Sequence, residues 1–285
     1  MEDNEKNLDS ILVALDGSRP SQTAASLAIQ IAQRENLLIQ GLYVVDDVLV
    51  LDPYSSLEKE LDIQQRDLSS DERANLLENQ GDTVLRWLED RCQTAGVPVK
   101  TELRLGQLHD IINSRAESPR LLAMGRRGRS YDQDTASLGH NFREIAHHPP
   151  APMLIGGDEL PLIQRMLLAY DGSMQAKHAL FWAGSLQRVW QSHLLALSVA
   201  DENASSRWLQ EMEEQVDESG LEEYRFIGRQ GDPATQILQT IIDENVDLVI
   251  MGGHQHGALL EWFTGSTLDQ VLRSTQVPLF MTGIQ

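Results

Sequence analysis

Cysteine and lysine are both scarce in this chain of 285 residues. The single cysteine, Cys92, excludes a disulfide within the chain and a metal site built from several cysteines. With only four lysines, arginine supplies nearly all of the positive charge, and the formal net charge is −20. So acidic a protein lacks the basic surface that neutralises phosphates. We therefore expect no binding to nucleic acid and none to anionic membranes.

Long apolar runs are also missing. No run approaches the roughly 20 residues that a membrane helix needs. The first residues, MEDNEKNLDS, are acidic where a secretory signal would be basic and then apolar. A hydrophobic content of 41% and a charged content of 23% are typical of globular proteins. We expect a soluble, cytoplasmic protein with room for two domains.

The sequence contains an internal repeat. ILVALDGS, ending at Ser18, returns as MLLAYDGS, ending at Ser173, and later LLAMGRRG corresponds to LVIMGGHQ and PAPMLIGG to QVPLFMTG. We predict two copies of one domain, residues 1–157 and 158–285. The first copy is longer, and most of its surplus falls at about residues 48–81, which predicts an extra helical segment after the second strand.

Within each copy, short apolar runs alternate with longer amphipathic stretches. This alternation predicts an α/β fold, with two tandem doubly wound parallel-sheet sandwiches of five main strands each. The short connection around residues 156–164 predicts that the domains pack against each other. In the second copy the predicted strands are 166–170, 194–199, 223–227, 248–251 and 278–282, and the predicted helices include 176–190 and 233–244.

Candidate ligand-binding residues follow the strands, because open parallel sheets bind ligands beyond the carboxyl ends of their strands. Each Asp-Gly-Ser places a carboxylate at the end of a first strand, where it can accept a hydrogen bond from a ribose or a base. The same three residues are also good turn and helix-cap chemistry without any ligand. The strand-end candidates are Asp16, Val44 and the loop after Met124 in copy one, and Asp171, Val199 and the loop after Met251 in copy two.

Glycine-containing loops follow the fourth strands. Glycine lets backbone N–H groups approach a phosphate, and the N-terminus of the next helix adds a favourable dipole. Copy one has His140 and Asn141 where copy two has hydroxyls, and copy two has Gln255 where copy one has its second glycine. The loop candidates are Gly125, Gly128 and Gly139 in copy one, and Gly252, Gly265, Ser266 and Thr267 in copy two.

Several other residues attract attention but are expected to be structural. Arg126, Arg127 and Arg129 are able to grip a phosphate, yet we favour solvated arginines paired with nearby acids. The pairs His147 and His148, and His254 and His256, lack further ligands at a suitable spacing, so we predict no metal site. Helical spacing of Trp208, Met212 and Val216 predicts a core stripe, and Cys92 is expected to be an unreactive packing residue.

Both halves resemble the universal stress protein family. The shared features are a first strand ending in Asp, a V-x-D segment at the second strand, and a loop with glycines and a terminal Ser or Thr. The resemblance implies an adenine nucleotide alpha hydrolase-like, Rossmann-like fold, and pairing of residues 152–155 with 278–282 within the chain. It leaves a further homodimer open. It implies an ATP or other adenine nucleotide site, with or without magnesium, at Ala169, Asp171, Val199, Met251, Gly252, Gly265, Ser266 and Thr267.

Motifs for catalysis are missing from the sequence. It has no Gly-x-Ser-x-Gly elbow, no Gly-x-x-x-x-Gly-Lys-Ser/Thr loop and no lysine in either glycine loop. We predict no catalytic residues and at most a slow ATPase. The resemblance suggests a regulatory protein of the stress response that binds its nucleotide mainly in the second half. The alternative is a protein-interaction module whose degenerate loops bind no nucleotide.

Overall fold

The computed structural model describes residues 9–46, 69–115, 118–128, 138–253 and 266–282. Its first half contains β1 (Ser10–Leu15), α1 (Arg19–Glu35), β2 (Leu38–Val45), α2 (Ser70–Ala95), β3 (Val99–Leu105), α3 (Leu108–Asn113), β4 (Leu121–Gly125), α4 (His140–His147) and β5 (Met153–Gly156). Its second half contains β6 (Arg165–Ala169), α5 (Met174–Trp190), β7 (His193–Val199), α6 (Glu202–Ser219), β8 (Tyr224–Arg229), α7 (Pro233–Asp243), β9 (Leu248–Gly252), α8 (Thr267–Ser274) and β10 (Leu279–Thr282).

The predicted elements of the second half are all present. The predicted strand 166–170 is Arg165–Ala169, for example, and the predicted helix 176–190 is Met174–Trp190. Residues 70–81 of the predicted extra segment form the first half of α2, and residues 47–68 lie outside the described part of the chain. The α/β prediction is confirmed, since strands and helices alternate in both halves.

The strands form one continuous ten-stranded sheet in the order β3-β2-β1-β4-β5-β10-β9-β6-β7-β8. Each half contributes five parallel strands, and the direction of winding reverses between β1 and β4 and between β6 and β9. The halves meet where β5 pairs antiparallel with β10, with Leu154 opposite Phe280. The predicted pairing of the last strands is therefore confirmed.

The repeated Asp-Gly-Ser segments form equivalent turns. Gly17 and Gly172 have φ values of 80° and 73°, a conformation that glycine adopts without steric cost. Ser18 then caps α1, and Ser173 caps α5 by accepting a hydrogen bond from the N–H of Ala176 at 3.2 Å. The sequence that ends each first strand thus also determines where the next helix begins.

Helices cover both faces of the sheet. On one face α1 and α5 present small, fully buried alanines such as Ala24 and Ala179, which allow these helices to approach the strands closely. The opposite face is covered by α3, α4, α7 and α8, with Phe142 and Val271 among the buried contacts. None of the helices in the described ranges is long and apolar enough to cross a membrane.

Candidate functional site

Strand register aligns the second-half candidates along the carboxyl edge of the sheet. Ala169 lies opposite Leu197 of β7, and Leu168 lies opposite Ile250 of β9. Met251 is therefore level with Ala169, and Gly252, which ends β9, is one residue further on. Asp171 lies two residues beyond Ala169, and Val199 lies two residues beyond Leu197, which pairs with Ala169. Because neighbouring strands are about 4.8 Å apart, Asp171, Val199 and Gly252 lie on one short edge.

The first half repeats this arrangement. Leu15 lies opposite Tyr43, and Ala14 lies opposite Met124. Asp16 follows Leu15, Val44 follows Tyr43, and Gly125 follows Met124. These three candidates therefore lie close together at the carboxyl edge. In both halves the site position is the point where the winding of the sheet reverses, which is where open α/β sheets bind ligands.

The two aspartates differ in their surroundings. In both cases one carboxylate oxygen accepts a hydrogen bond from a serine N–H, of Ser18 at 2.9 Å and of Ser173 at 3.0 Å. Asp16 is half-buried, and a Cβ placed on Gly128 would lie 3.4 Å from its second oxygen. Asp171 is exposed. The turn-and-cap role therefore accounts for one oxygen of each aspartate, and only Asp171 presents its carboxylate openly.

Gly125 and Gly252 have a packing role that the sequence does not indicate. A Cβ on Gly125 would lie 2.8 Å from the backbone nitrogen of Ser21, and one on Gly252 would lie 2.6 Å from Cβ of Gln175. Each glycine thus lets the first turn of α1 or α5 approach the end of the fourth strand. Their presence is explained by helix packing before any phosphate is considered.

The two described ends of the first-half glycine loop, residues 125–128 and 138–139, lie close together. The N–H of Gly139 donates to the carbonyl of Arg126 at 3.0 Å, and a Cβ on Gly139 would lie 3.6 Å from the nitrogen of Gly128. The Ser18 hydroxyl donates to the carbonyl of Arg127 at 3.3 Å. Gly128 and Gly139 are thus brought together beside Asp16. Gly139 is the N-cap of α4, and it supplies no side-chain cap.

In the second half, the hydroxyl residues open α8. Ser266 is the N-cap, and its side chain accepts a hydrogen bond from the N–H of Asp269 at 3.1 Å. Thr267 is the first helical residue. The carboxylate of Asp269 is only 3% exposed and is held by Nε of Arg273 at 2.9 and 3.0 Å. Gly265, like Gln255, lies outside the described residues.

The expectation of solvated loop arginines is wrong. Arg126 is 2% exposed and Arg127 is 8% exposed, because both side chains turn into the junction between the two halves. Arg127 does pair with an acid, since its Nη2 lies 2.5 Å from Oδ1 of Asp158. Both guanidiniums therefore bind groups of the protein itself. Arg129 lies outside the described residues.

Trp208 makes a contact next to the site that sequence reasoning missed. The predicted stripe is confirmed, since Met212 is fully buried and Trp208 and Val216 pack against the same core cluster. In addition, a Cβ on Gly172 would lie 2.5 Å from Cδ1 and 2.6 Å from Nε1 of Trp208. The indole edge of Trp208 therefore rests on the turn that carries Asp171. Only the absence of a side chain at Gly172 hinted at a close neighbour.

Only one of the two histidine pairs lies within the described residues. His147 ends α4 and His148 is its C-cap residue, whereas His254 and His256 lie outside the described residues. Within the described ranges, no three His, Cys, Asp or Glu side chains are grouped so that they could hold a metal ion.

Cys92 provides a direct test of the described packing. Its side chain lies on α2 and is buried in the core. This burial, with a smaller contribution from Glu89, raises the pKa of its thiol to about 11. Because the thiolate is the reactive form, we expect Ellman's reagent at pH 8 to label the folded protein at least about a hundredfold more slowly than the denatured protein. Rapid stoichiometric labelling of the folded protein would contradict the described burial.

Comparisons with known proteins agree with the fold. The model of the universal stress protein family matches residues 7–155 and 163–282, which together cover most of the chain. A universal stress protein of Synechocystis sp. is 27% identical over 287 residues, a match that covers 95% of this chain and 99% of that protein. The crystal structure of a universal stress protein from Archaeoglobus fulgidus superposes with a TM-score of 0.74 at 23% identity, over 96% of each chain.

A single-domain relative matches only part of the chain. A universal stress protein of Thermus aquaticus is 30% identical over 135 residues, and the match covers 42% of this chain and 98% of that protein. One domain of the present chain thus corresponds to the whole of this relative.

Proposed function

This chain belongs to the universal stress protein family, and from that premise we propose that it binds ATP or another adenine nucleotide, mainly in its second half. The nucleotide acts as a regulatory ligand of the stress response, with no strong catalysis. The proposed site comprises Ala169, Asp171, Val199, Met251, Gly252, Ser266 and Thr267.

The open carboxylate of Asp171 carries this proposal. It stands at the carboxyl edge beside Val199 and Gly252, and its Oδ1 is occupied by the N–H of Ser173 at 3.0 Å. Within the described ranges no group donates a hydrogen bond to its Oδ2, and the side chain is exposed. A carboxylate in this state accepts hydrogen bonds from hydroxyl groups such as those of a ribose. Asp16 is a poorer candidate because its side chain is half-buried and Gly128 lies near its Oδ2.

The N-terminus of α8 suits the phosphate end of the ligand. The first N–H groups of a helix have no partner within the helix, and the helix dipole favours a negative charge there. Ser266 caps this terminus directly after the glycine loop. The buried Asp269 adds a negative charge in the first turn, which Arg273 offsets through its Nε. The phosphates would therefore meet backbone N–H donors, and the nearby carboxylate of Asp269 is paired with Arg273.

A nucleotide bound in this way would connect the ends of β6, β7 and β9 with α8. A ligand that binds only the folded state stabilises it, by about 2.7 kcal/mol at a ligand concentration of one hundred times its Kd. Such a ligand favours one arrangement of the parts that it connects. We infer that regulation works through this stabilisation of the second half.

Asp171→Asn is expected to abolish most of the nucleotide response. Asparagine keeps the acceptor for the N–H of Ser173 and replaces the second oxygen by a donor. The loss of a hydrogen bond to a charged group, about 1.5–3 kcal/mol, predicts a Kd for ATP that is raised at least about tenfold. The measurement is a thermal shift with magnesium and ATP, followed by equilibrium dialysis.

Asp16→Asn is the matched control, because Asp16 occupies the same place in the first copy. It should leave the ATP response close to that of the unaltered chain. Equal losses in both variants would contradict the assignment to the second half. Melting curves of the unaltered chain that do not change with ATP would reject nucleotide binding and favour the protein-interaction alternative, in which both Asp-Gly-Ser turns serve only as helix caps.

A further inference from the structure

Two arginines of the first-half glycine loop fasten the two halves together. Arg126 donates through Nη1 to the carbonyl of Thr275 and through Nη2 to the carbonyl of Gln276, the latter at 2.9 Å. Its Nη2 also lies 3.4 Å from Oδ2 of Asp158, while Nη2 of Arg127 lies 2.5 Å from Oδ1. We call Arg126, Arg127 and Asp158 the arginine latch. It joins the loop after β4 to the residues that follow α8.

Both arginines of the latch are buried and Asp158 is partly buried, so the contacts of Arg126 are costly to lose. Burial lowers the pKa of Arg126 to about 10, with Asp158 opposing this shift and Arg127 adding to it. The guanidinium is therefore still charged at neutral pH. The two carbonyls that it binds lie at the C-terminal end of α8, where the helix dipole favours a positive charge. A buried charge of this kind is strongly destabilising when its partner is removed.

The second copy has no arginine at the position equivalent to Arg126. After β9, at the place that Arg126 holds after β4, the second copy has Gly253. A Cβ on Gly253 would lie 2.4 Å from the carbonyl oxygen of Thr282, so no side chain fits there. The first half therefore holds the second half by a contact that has no counterpart at Gly253.

The latch lies at one end of α8 and the proposed phosphate site at the other. The helix has eight residues, from Thr267 to Ser274, and spans about 12 Å. It is anchored by the buried side chains of Leu268 in its first turn and of Val271 and Leu272 in its second. A helix of two turns moves as a rigid body, so a shift of its C-terminal end also displaces the N–H groups beside Ser266.

We propose that Arg126 is a positioning residue for the nucleotide phosphates of the second half, acting across the domain junction through α8. This inference rests on the proposed function. Arg126, which follows β4 in the first half, thereby supports the phosphate site in the second half. Phosphate binding in the second half then depends on contact with the first half.

Arg126→Met tests this inference. Methionine fills much of the buried volume but donates no hydrogen bond to Thr275 or Gln276. We expect the Kd for ATP to rise about tenfold, measured by equilibrium dialysis at a temperature where the variant is fully folded. Under that condition a loss of global stability alone leaves the Kd unchanged. The backbone amide signals of Thr267 and Leu268 in ¹H–¹⁵N spectra should also shift without ligand.

Arg120→Met is the matched control. Arg120 also spans the two halves, with its guanidinium 5.9 Å from the ring centre of Trp182. It directly precedes β4 and so lies at the amino-terminal ends of the strands, away from α8 and the carboxyl edge. We expect this variant to bind ATP with an unchanged Kd and to keep the Thr267 and Leu268 signals in place. A Kd raised equally in both variants would contradict a specific role for Arg126.

Asp158→Asn covers the case in which Arg126→Met does not fold. It removes the charge that faces both arginines with little change of volume, and it should raise the Kd for ATP severalfold in the same direction. If the unaltered chain binds ATP and both latch variants bind it equally well, the positioning role is overturned while the proposed function stands. If the unaltered chain binds no ATP, both are overturned.

Discussion

Gly156→Ala is expected to destabilise the protein by about 3 kcal/mol or more. Gly156 ends β5, and a Cβ placed on it would lie 1.8 Å from the carbonyl oxygen of Pro20 and 2.9 Å from the nitrogen of Ala24. These atoms belong to the backbone of the first turns of α1, which cannot move without disturbing the cap at Ser18. The measurement is the free energy of unfolding from guanidinium titration followed by circular dichroism.

Thr282→Ala is the control for that prediction, because Thr282 holds the corresponding position in the second copy. The hydroxyl of Thr282 lies 3.4 Å from the carbonyl oxygen of Gln175, which is the counterpart of Pro20. Here the strand end has room for a side chain, so truncation should cost about 1 kcal/mol. A loss below 1 kcal/mol for Gly156→Ala would show that α1 is free to move away from β5.

The fold was predictable because its signals are local or repeated. Buried strands appear as short apolar runs, and Ser18 and Ser173 mark the helix starts that they cap. Because the sequence is repeated, each strand predicted in one half could be compared with its counterpart in the other. The repeat also places β5 and β10 at equivalent positions in the two copies. The strand bounds differ by a residue or two, since periodicity does not show where the last ladder hydrogen bond forms.

The site was only partly predictable, because the contacts that distinguish its two copies are distant in sequence. The partners of Arg126 are the carbonyls of Thr275 and Gln276, 149 and 150 residues away. A backbone carbonyl has no signature in the sequence, so pairing with surface acids was the natural expectation. The burial of Arg126 therefore became visible only when the two halves were placed together.

Glycine is ambiguous for a similar reason. A glycine after a strand permits the close approach of a phosphate or of a helix, and the sequence looks the same in either case. At Gly252 the helix is present, since Gln175 occupies the space of a side chain. The stronger indication of a ligand is the exposed Asp171, because its charge is not needed for the turn that its Oδ1 supports.

Phe280→Ala is expected to cost about 3–5 kcal/mol and to weaken both halves at once. Phe280 is fully buried in β10, opposite Leu154 of β5 and Ile250 of β9. Its ring centre lies 5.0 Å from that of Trp182 in α5. Truncation leaves a cavity at the centre of the continuous sheet. We expect guanidinium unfolding to remain a single transition that shifts to lower denaturant concentration.

Trp87 and Phe226 make the Phe280 experiment decisive. Trp87 lies in α2 of the first half, and α2 packs on β2 and β3, far from the junction in the strand order. With 5-fluorotryptophan at all five tryptophans, the ¹⁹F signal of Trp87 should follow the same shifted transition as the circular dichroism. Phe226→Ala on the edge strand β8, where the side chain is only partly buried, should cost less. If Trp87 kept its original midpoint in Phe280→Ala, the two halves would unfold independently. The junction would then be too weak for the arginine latch to transmit a change from one half to the other.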